Sequence, residues 1–321
     1  MNNKPLIIVA GEPFSVFSEI FLKSIKKKIC KRQIILIISK NLFIKQMKKL
    51  NVKLQINLID IENFNLNKLS KKKINIINVD FKFKKTFDKI SNKSNHYIEE
   101  CFEIALKLLK KNIFAGLING PISKKNFLKG KFSGITEYFA HKTNKDNKVT
   151  MLIYNKKFSV SPTTTHLPLK LVNKNLSKNK IINQVKIIRD FYKYKLNKEP
   201  RFAITGLNPH CESNYQSSEE KKIIIPAINF LIKKKYKIKG PFAADTIFMK
   251  EKLKNYDVVI GMYHDQVLSP AKTIFGFNAI NITLGLPFIR ISPDHGPNIE
   301  MLGKNISNPK SLIEAIKFFN K

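Results

Sequence analysis

The stretch Val258-Val259-Ile260-Gly261-Met262-Tyr263-His264-Asp265-Gln266 joins an apolar run directly to a cluster of polar side chains. A short run of β-branched and apolar residues predicts a buried strand, here from Val258 to Met262. The polar cluster would then lie where that strand ends. The tract from Tyr256 to Gly303 continues in the same way, with Gly and Pro between reactive side chains, which is typical of strand ends and loops around a site.

Apolar runs of this kind recur along the chain and alternate with longer amphipathic stretches. Strands are predicted at 6–10, 34–38, 74–79, 115–118, 150–154, 202–205 and 258–262, and helices at 18–28, 95–110, 180–193 and 218–234. Alternation of strands and helices predicts an α/β fold with a largely parallel sheet.

The composition excludes several classes of protein. A chain of 321 residues with 43% hydrophobic side chains is long and apolar enough to fold around one large core or two smaller ones. No apolar run approaches the roughly 18 residues of a membrane span. Cys30, Cys101 and Cys211 form no CxxC pair and no complete disulfide set. We therefore expect a cytoplasmic protein with no membrane partner.

The net charge of +36, from 59 basic and 23 acidic side chains, suggests a nucleic-acid binder at first sight. The only arginines are Arg32, Arg189, Arg201 and Arg290. Recognition of bases and phosphates relies on the paired hydrogen bonds of guanidinium groups, which lysine cannot make. Lys, Asn, Ile and Phe share A/T-rich codons, so we interpret the charge mainly as compositional drift of the surface. We expect no specific nucleic-acid partner.

The glycines form neither of the common nucleotide-binding patterns. No G-x-G-x-x-G and no G-x-x-x-x-G-K sequence occurs, so the usual dinucleotide fingerprint and the P-loop are both absent. A nicotinamide cofactor would have to bind in another way.

Three of the six histidines, His166, His210 and His264, lie in turn-forming segments just beyond apolar runs. Loops at the carboxyl ends of parallel strands usually build the sites of α/β proteins. Any one of these histidines is more simply a surface or capping residue. Three in similar contexts favour a site for a divalent transition metal. His295, between Asp294 and Gly296, fits a site or a turn equally well.

Around these histidines the chain resembles the 4-hydroxythreonine-4-phosphate dehydrogenases of pyridoxal phosphate biosynthesis. The matching segments span most of the chain and end in a highly specific tract. They are Asn119-Gly120-Pro121-Ile122-Ser123-Lys124, Gly134-Ile135-Thr136-Glu137, Thr164-Thr165-His166-Leu167-Pro168, Gly206-Leu207-Asn208-Pro209-His210, Gly240-Pro241-Phe242-Ala243-Ala244-Asp245-Thr246 and the tract from Met262 to Gly303.

The resemblance implies the two-domain α/β/α fold shared with isocitrate and isopropylmalate dehydrogenases. Residues 1–130 and 286–321 would form the first domain and 131–285 the second, with a cleft between them. The second domain would supply the metal ligands and the contacts of a homodimer, whose active site lies where the subunits meet. The implied reaction is the NAD- or NADP-linked oxidation of 4-phosphooxy-L-threonine with loss of carbon dioxide, giving 3-amino-2-oxopropyl phosphate, assisted by a divalent metal (Zn, Mg, Co or Mn).

The resemblance also implies the roles of individual residues. The metal would be bound by His166, His210 and His264. The small phosphorylated substrate would be bound by Thr136, Lys272, Asn281 and Arg290. The site would be supported by Asp245 and Asp265, and the general base would be either Lys272 or Asp245. Without the resemblance, Lys272 is one more surface lysine, and Thr136 and Asn281 are capping residues. The scarcity of arginine itself suggests that Arg290 makes paired bonds to a carboxylate or phosphate.

Four departures from the family pattern affect the substrate and cofactor pockets, for which no cofactor-binding residue is assigned. Gly11 to Glu19 replaces a glycine-rich segment with bulkier residues, and Ile135 stands where the family has a substrate-contacting histidine. Pro297-Asn298 replaces small residues, and the segment after His210 lacks the family's usual glycines. Two alternatives follow: a dehydrogenase of another four-carbon phosphorylated hydroxy acid, threonate or erythronate 4-phosphate, and a non-catalytic relative that binds metal or nucleic acid.

Overall fold

The computed structural model describes residues 4–211 and 216–320. In chain order its strands are β1 (Leu6–Val9), β2 (Ile34–Ile38), β3 (Ile56–Leu58), β4 (Ile74–Asn78), β5 (Leu117–Asn119), β6 (Thr150–Tyr154), β7 (Ser159–Pro162), β8 (Phe202–Thr205), β9 (Ile238–Phe242), β10 (Val258–Gly261), β11 (Ile280–Leu284) and β12 (Arg290–Pro293).

The α-helices are α1 (Phe17–Lys26), α2 (Lys40–Lys49), α3 (Asn95–Leu109), α4 (Lys124–Phe127), α5 (Ile135–Lys142), α6 (Leu169–Asn175), α7 (Lys178–Leu196), α8 (Ile225–Lys233), α9 (Ala244–Ile247), α10 (Lys250–Leu253), α11 (His264–Phe275) and α12 (Lys310–Phe319). A π-helical turn, Glu220–Ile224, leads into α8. Within residues 4–211 and 216–320, no helix is long and apolar enough to cross a membrane.

The chain divides into two compact units, Met1–Phe132 with Phe288–Lys321, and Ser133–Pro287. The strands of the first unit follow the order β3-β4-β2-β1-β5-β12, and their pairings are parallel. β1 and β2 are apolar and buried along their whole length, as expected for parallel strands that are covered on both faces.

The second unit orders its strands β11-β6-β7-β10-β8-β9. β7, β10, β8 and β9 run parallel, whereas β6 runs antiparallel to both of its neighbours. Its core includes Val160, Ala203 and Val259 from three adjacent strands and Phe275 from α11. Phe158 packs on Phe275 with ring centroids 4.4 Å apart. The predicted α/β class with a largely parallel sheet is confirmed.

Sequence patterning misses β7, the strand that leads to His166. Its sequence Ser-Val-Ser-Pro carries no apolar run, yet all four residues are buried. The Ser159 hydroxyl lies 2.9 Å from the Tyr192 hydroxyl, and the Ser161 hydroxyl donates to the Met151 carbonyl at 2.6 Å. These bonds come from residues distant in the sequence or on a neighbouring strand, so a buried serine here costs little free energy.

Candidate active site

The three histidines follow the carboxyl ends of three neighbouring parallel strands. His166 comes after β7, His210 after β8, and His264 is the first residue of α11 after β10. Because β10 pairs with both β7 and β8 in parallel, the three loops leave the same edge of the sheet. Ligands of open α/β sheets usually bind at this edge.

Buried hydrogen bonds tie the three loops together. The backbone N–H and the hydroxyl of Thr164 both donate to the Met262 carbonyl, at 3.1 and 2.7 Å. Gln266 accepts from the Thr205 hydroxyl at 2.9 Å and from the Met262 N–H at 2.7 Å. Its amide nitrogen donates to the Gly206 carbonyl at 2.8 Å. The positions of the three histidines therefore depend on one connected network.

The loop that carries His210 is further held by Glu220. The carboxylate accepts from the N–H groups of Leu207 and Asn208, both at 2.8 Å. Burial raises the pKa of Glu220, but these hydrogen bonds outweigh it and the pKa is lowered. His210 itself has a φ of +56°, a left-handed conformation that side chains other than glycine rarely adopt. The fixed carboxylate helps the loop keep that shape.

Each of the three histidines has a carboxylate near its Nδ1 atom. The distances are 2.6 Å from His264 to Asp265, 3.7 Å from His210 to Asp245 and 3.9 Å from His166 to Glu137. A carboxylate at Nδ1 orients the ring and leaves Nε2 for a ligand, which is the usual arrangement around protein-bound metals.

Two of the imidazoles lie close to the separation that a single ion requires. The ring centroids of His166 and His264 are 5.7 Å apart, and two imidazoles on one tetrahedral ion have centroids at about 5 Å. Across residues 4–211 and 216–320, no three His, Cys, Asp or Glu side chains are close enough together to hold a metal. The donor chemistry fits a divalent transition metal, but the ligand set of His166, His210 and His264 stays a prediction.

The structure brings Thr136 and Asn281 to the same side of β11. Thr136 is buried in the first turn of α5, and its hydroxyl lies 3.3 Å from that of Thr283. Asn281 precedes Thr283 by two positions on β11, and alternate residues of a strand share a face. The Oδ1 atom of Asn281 is buried without a hydrogen-bond partner. Ile135, beside Thr136, is 9% exposed and belongs to the core.

The two predicted cations differ in setting. Lys272 is exposed on α11, seven residues beyond Asp265 and so on the same side of that helix. Arg290 belongs to the other unit, where it begins β12 and is 0% exposed. Its Nε atom donates to Oδ1 of Asn119 at 2.7 Å, which commits one of its five N–H donors to the fold.

The bulky residues that replace glycines in the N-terminal segment are part of the core of the first unit. Phe14 packs edge-on against Phe81 at 5.6 Å, and Phe17 stacks on Phe21 at 5.7 Å. Glu12, which lies in the sequence between β1 and Phe14, is 2% exposed. Its burial raises its pKa to about 7, against the lowering effect of hydrogen bonds from Ser94 and Phe14.

Sequence patterns did not single out Glu137, Glu220 or Gln266 as members of the site. Glu137 and Gln266 lie inside the quoted motifs, and Glu220 opens a predicted helix. Their partners lie far away in the sequence or on backbone atoms. Residue types and local spacing carry no signal for such contacts.

Comparisons with known proteins show the family of the chain. The family model described as pyridoxal phosphate biosynthetic protein PdxA matches residues 29–319. A curated relative from Sulfurihydrogenibium sp., named 4-hydroxythreonine-4-phosphate dehydrogenase, is 38% identical over 317 residues, which cover 97% of this chain and 96% of the relative.

Solved structures show the same fold. That of 4-hydroxythreonine-4-phosphate dehydrogenase from Klebsiella pneumoniae superposes with a TM-score of 0.84 at 24% identity and covers 99% of both chains. Isocitrate dehydrogenase from Methylococcus capsulatus shares the fold more distantly, with a TM-score of 0.50 at 6% identity over 96% of this chain and 82% of that one. The chain belongs to the family of the pyridoxal phosphate biosynthetic protein PdxA.

Proposed function

We propose that this protein is a 4-hydroxythreonine-4-phosphate dehydrogenase. It oxidises the 3-hydroxyl of 4-phosphooxy-L-threonine with NAD or NADP, and the product loses carbon dioxide to give 3-amino-2-oxopropyl phosphate. The observation that carries the proposal is the placement of His166, His210 and His264 at one sheet edge, in a chain that matches a dehydrogenase of this name over 97% of its length.

His166, His210 and His264 would hold a divalent metal. When bound, such an ion lowers the pKa of a hydroxyl and polarises a carbonyl oxygen. Asp265 lies 2.6 Å from Nδ1 of His264 and Asp245 lies 3.7 Å from Nδ1 of His210, and a carboxylate at Nδ1 would leave Nε2 of each ring for the ion. The hydrogen bonds of Gln266 hold together the loops that carry His210 and His264.

The remaining polar side chains would bind and orient the substrate. Thr136 and Asn281 offer a hydroxyl and an amide from the same side of β11. Lys272 and Arg290 supply positive charge for the phosphate and carboxylate groups. Orientation of this kind contributes to the rate by holding the reacting carbon in place. Either Lys272, in its neutral form, or Asp245, which lies 3.7 Å from Nδ1 of His210, would act as the general base.

The first test is NAD reduction by the purified protein with 4-phosphooxy-L-threonine, with and without added divalent metal. We expect metal-dependent turnover that falls by about 10³-fold or more in His264→Ala and His210→Ala. His96→Ala removes a histidine that is 93% exposed, and it should leave turnover unchanged. Equal turnover after metal removal, or in the ligand variants, would contradict the metal assignment.

The second candidate is a dehydrogenase of threonate or erythronate 4-phosphate. The burial of Ile135, at the position of the family's substrate-contacting histidine, favours it, because one polar contact to the substrate is missing. The same assay separates the two candidates. Higher kcat/KM for either alternative substrate would replace the first assignment.

We also propose a homodimer, in which the second domain, predicted at residues 131–285, supplies the dimer contacts. Analytical ultracentrifugation of the full chain measures the assembly directly. A monomer with full activity would exclude a site that needs both subunits.

A further inference from the structure

The carboxylate beside His166 differs from the other two in its surroundings. The side chains of Asp265 and Asp245 are 78% and 56% exposed, whereas Glu137 is 30% exposed and His166 is 24% exposed. Oε2 of Glu137 and Nδ1 of His166 are themselves buried, and neither has a hydrogen-bond partner. Water therefore does not satisfy these two atoms as it does an exposed pair.

The two buried atoms face each other. They are 3.9 Å apart, somewhat longer than a hydrogen bond. A buried polar atom without a hydrogen-bond partner destabilises the folded state. A small rotation of the imidazole that shortens this distance satisfies both atoms together, and electrostatic contacts are stronger away from water.

The local sequence makes room for the pair. Gly134 lies directly behind it, and a Cβ atom at that position would come within 2.9 Å of the His166 ring and 2.7 Å of Oε2 of Glu137. The other carboxylate oxygen accepts a hydrogen bond from the Thr165 hydroxyl at 3.2 Å. Glu137 is thus fixed both by its place in the first turn of α5 and by the residue that precedes His166.

We propose that Glu137 is a positioning residue, which holds the proton on Nδ1 of His166 and thereby presents Nε2 of that ring to the metal. This inference rests on the proposed metal site. A small rotation of the ring would close the hydrogen bond from Nδ1 to Glu137 while Nε2 faces the ion. The carboxylates beside His264 and His210 are exposed, so the argument from buried atoms without partners does not apply to those two pairs.

The test is the affinity of the purified full chain for Zn²⁺ and Co²⁺, measured by competition with a chelator in the absence of substrate. Glu137→Gln should weaken binding about 10- to 100-fold, and Glu137→Asp should recover part of the loss, because it keeps the carboxylate. Glu100→Gln is the matched control: Glu100 lies at the same 3.9 Å from Nδ1 of His96, but on an exposed surface. It should bind as tightly as the unmodified chain.

Two further readouts separate the outcomes. The midpoint of thermal unfolding of the metal-free Glu137→Gln variant shows whether it is folded, and the ¹⁵N spectrum of its histidines reports the Nδ1 tautomer of His166. Unchanged metal affinity in a folded Glu137→Gln variant overturns the inference. Metal binding is measured without turnover. If the unmodified chain shows no dehydrogenase activity but Glu137→Gln still weakens metal binding, the proposed reaction is wrong and the inference about Glu137 stands.

Discussion

At the scale of single residues, the buried carboxyl group of Glu12 sets a pH-dependent property of the first unit. Glu12 lies three residues beyond β1 and is 2% exposed, and its side chain accepts hydrogen bonds from the Ser94 hydroxyl, at 3.1 Å, and from the Phe14 backbone. The Oε1 atom is buried without a partner. Burial disfavours the ionised form and raises the pKa from 4.5 to about 7, as expected for a carboxyl group removed from water.

This raised pKa predicts a pH-dependent stability. Between pH 4.5 and about 7 the folded chain binds more protons at Glu12 than the unfolded chain, so its contribution is present at low pH and is lost as the pH rises. The loss amounts to about 3 kcal/mol. Urea unfolding of Glu12→Gln, compared with the unmodified chain at pH 5 and pH 8, should show a smaller fall in stability across this range. An identical fall in both proteins would show that Glu12 does not titrate in this window.

At the scale of elements, the site depends on how the loops after β7, β8 and β10 are joined. Each strand places its loop at the same edge of the sheet, but a strand end alone does not fix a side chain to the accuracy that a metal needs. Gln266, on the first turn of α11, supplies the missing restraint, because it bonds to the β8 loop and to the β10 loop at once.

Gln266→Leu should therefore lower both stability and metal affinity. Buried donors and acceptors left without a partner cost roughly 1–3 kcal/mol each, and loosened ligands weaken metal binding by about tenfold or more. Gln46→Leu is the matched control, since Gln46 is 1% exposed and bonds to Ser18, Pro13 and Thr86 in the other unit. We expect both variants to unfold at lower urea concentration and only Gln266→Leu to lose Zn²⁺. Equal zinc affinity in the two variants would refute the role of Gln266.

At the scale of the whole molecule, the charge of +36 is carried mainly by lysine. All four arginines have partners within the protein. Arg189 pairs with Glu199, Arg201 with Asp257, Arg290 bonds to Asn119, and Arg32 donates to backbone carbonyls. The exposed positive charge is therefore mainly that of lysine, which cannot make the paired hydrogen bonds that a guanidinium group makes to bases and phosphates.

We expect the chain to bind duplex DNA weakly and without sequence preference. Contacts of lysines with phosphates release counterions, so affinity should fall by about 10³-fold or more between roughly 50 and 200 mM salt. A gel-shift assay with two unrelated duplexes over this range measures both properties. DNA binding that persists at the higher salt concentration, or a preference for one duplex over the other, would point to a specific nucleic-acid partner. His264→Ala should bind DNA like the unmodified chain.

Much of the fold follows from local patterns. The predicted strands at 34–38, 150–154 and 202–205 coincide with β2, β6 and β8, because runs of buried apolar residues have few alternatives to a covered strand. The predicted helix at 180–193 lies inside α7. The predicted strand at 115–118 is displaced by one or two residues from β5, since element ends are set by tertiary hydrogen bonds.

The sequence by itself determined the α/β class and which histidines follow strands, because periodicity and residue type act over a few neighbouring residues. Only the tertiary structure decided that β7 is a strand in spite of its serines, and that Glu137 faces His166. Buried polar groups choose partners that the chain brings close by folding, and the free energy of such contacts depends on the exclusion of water. The local sequence predicts neither the distance between these atoms nor their burial.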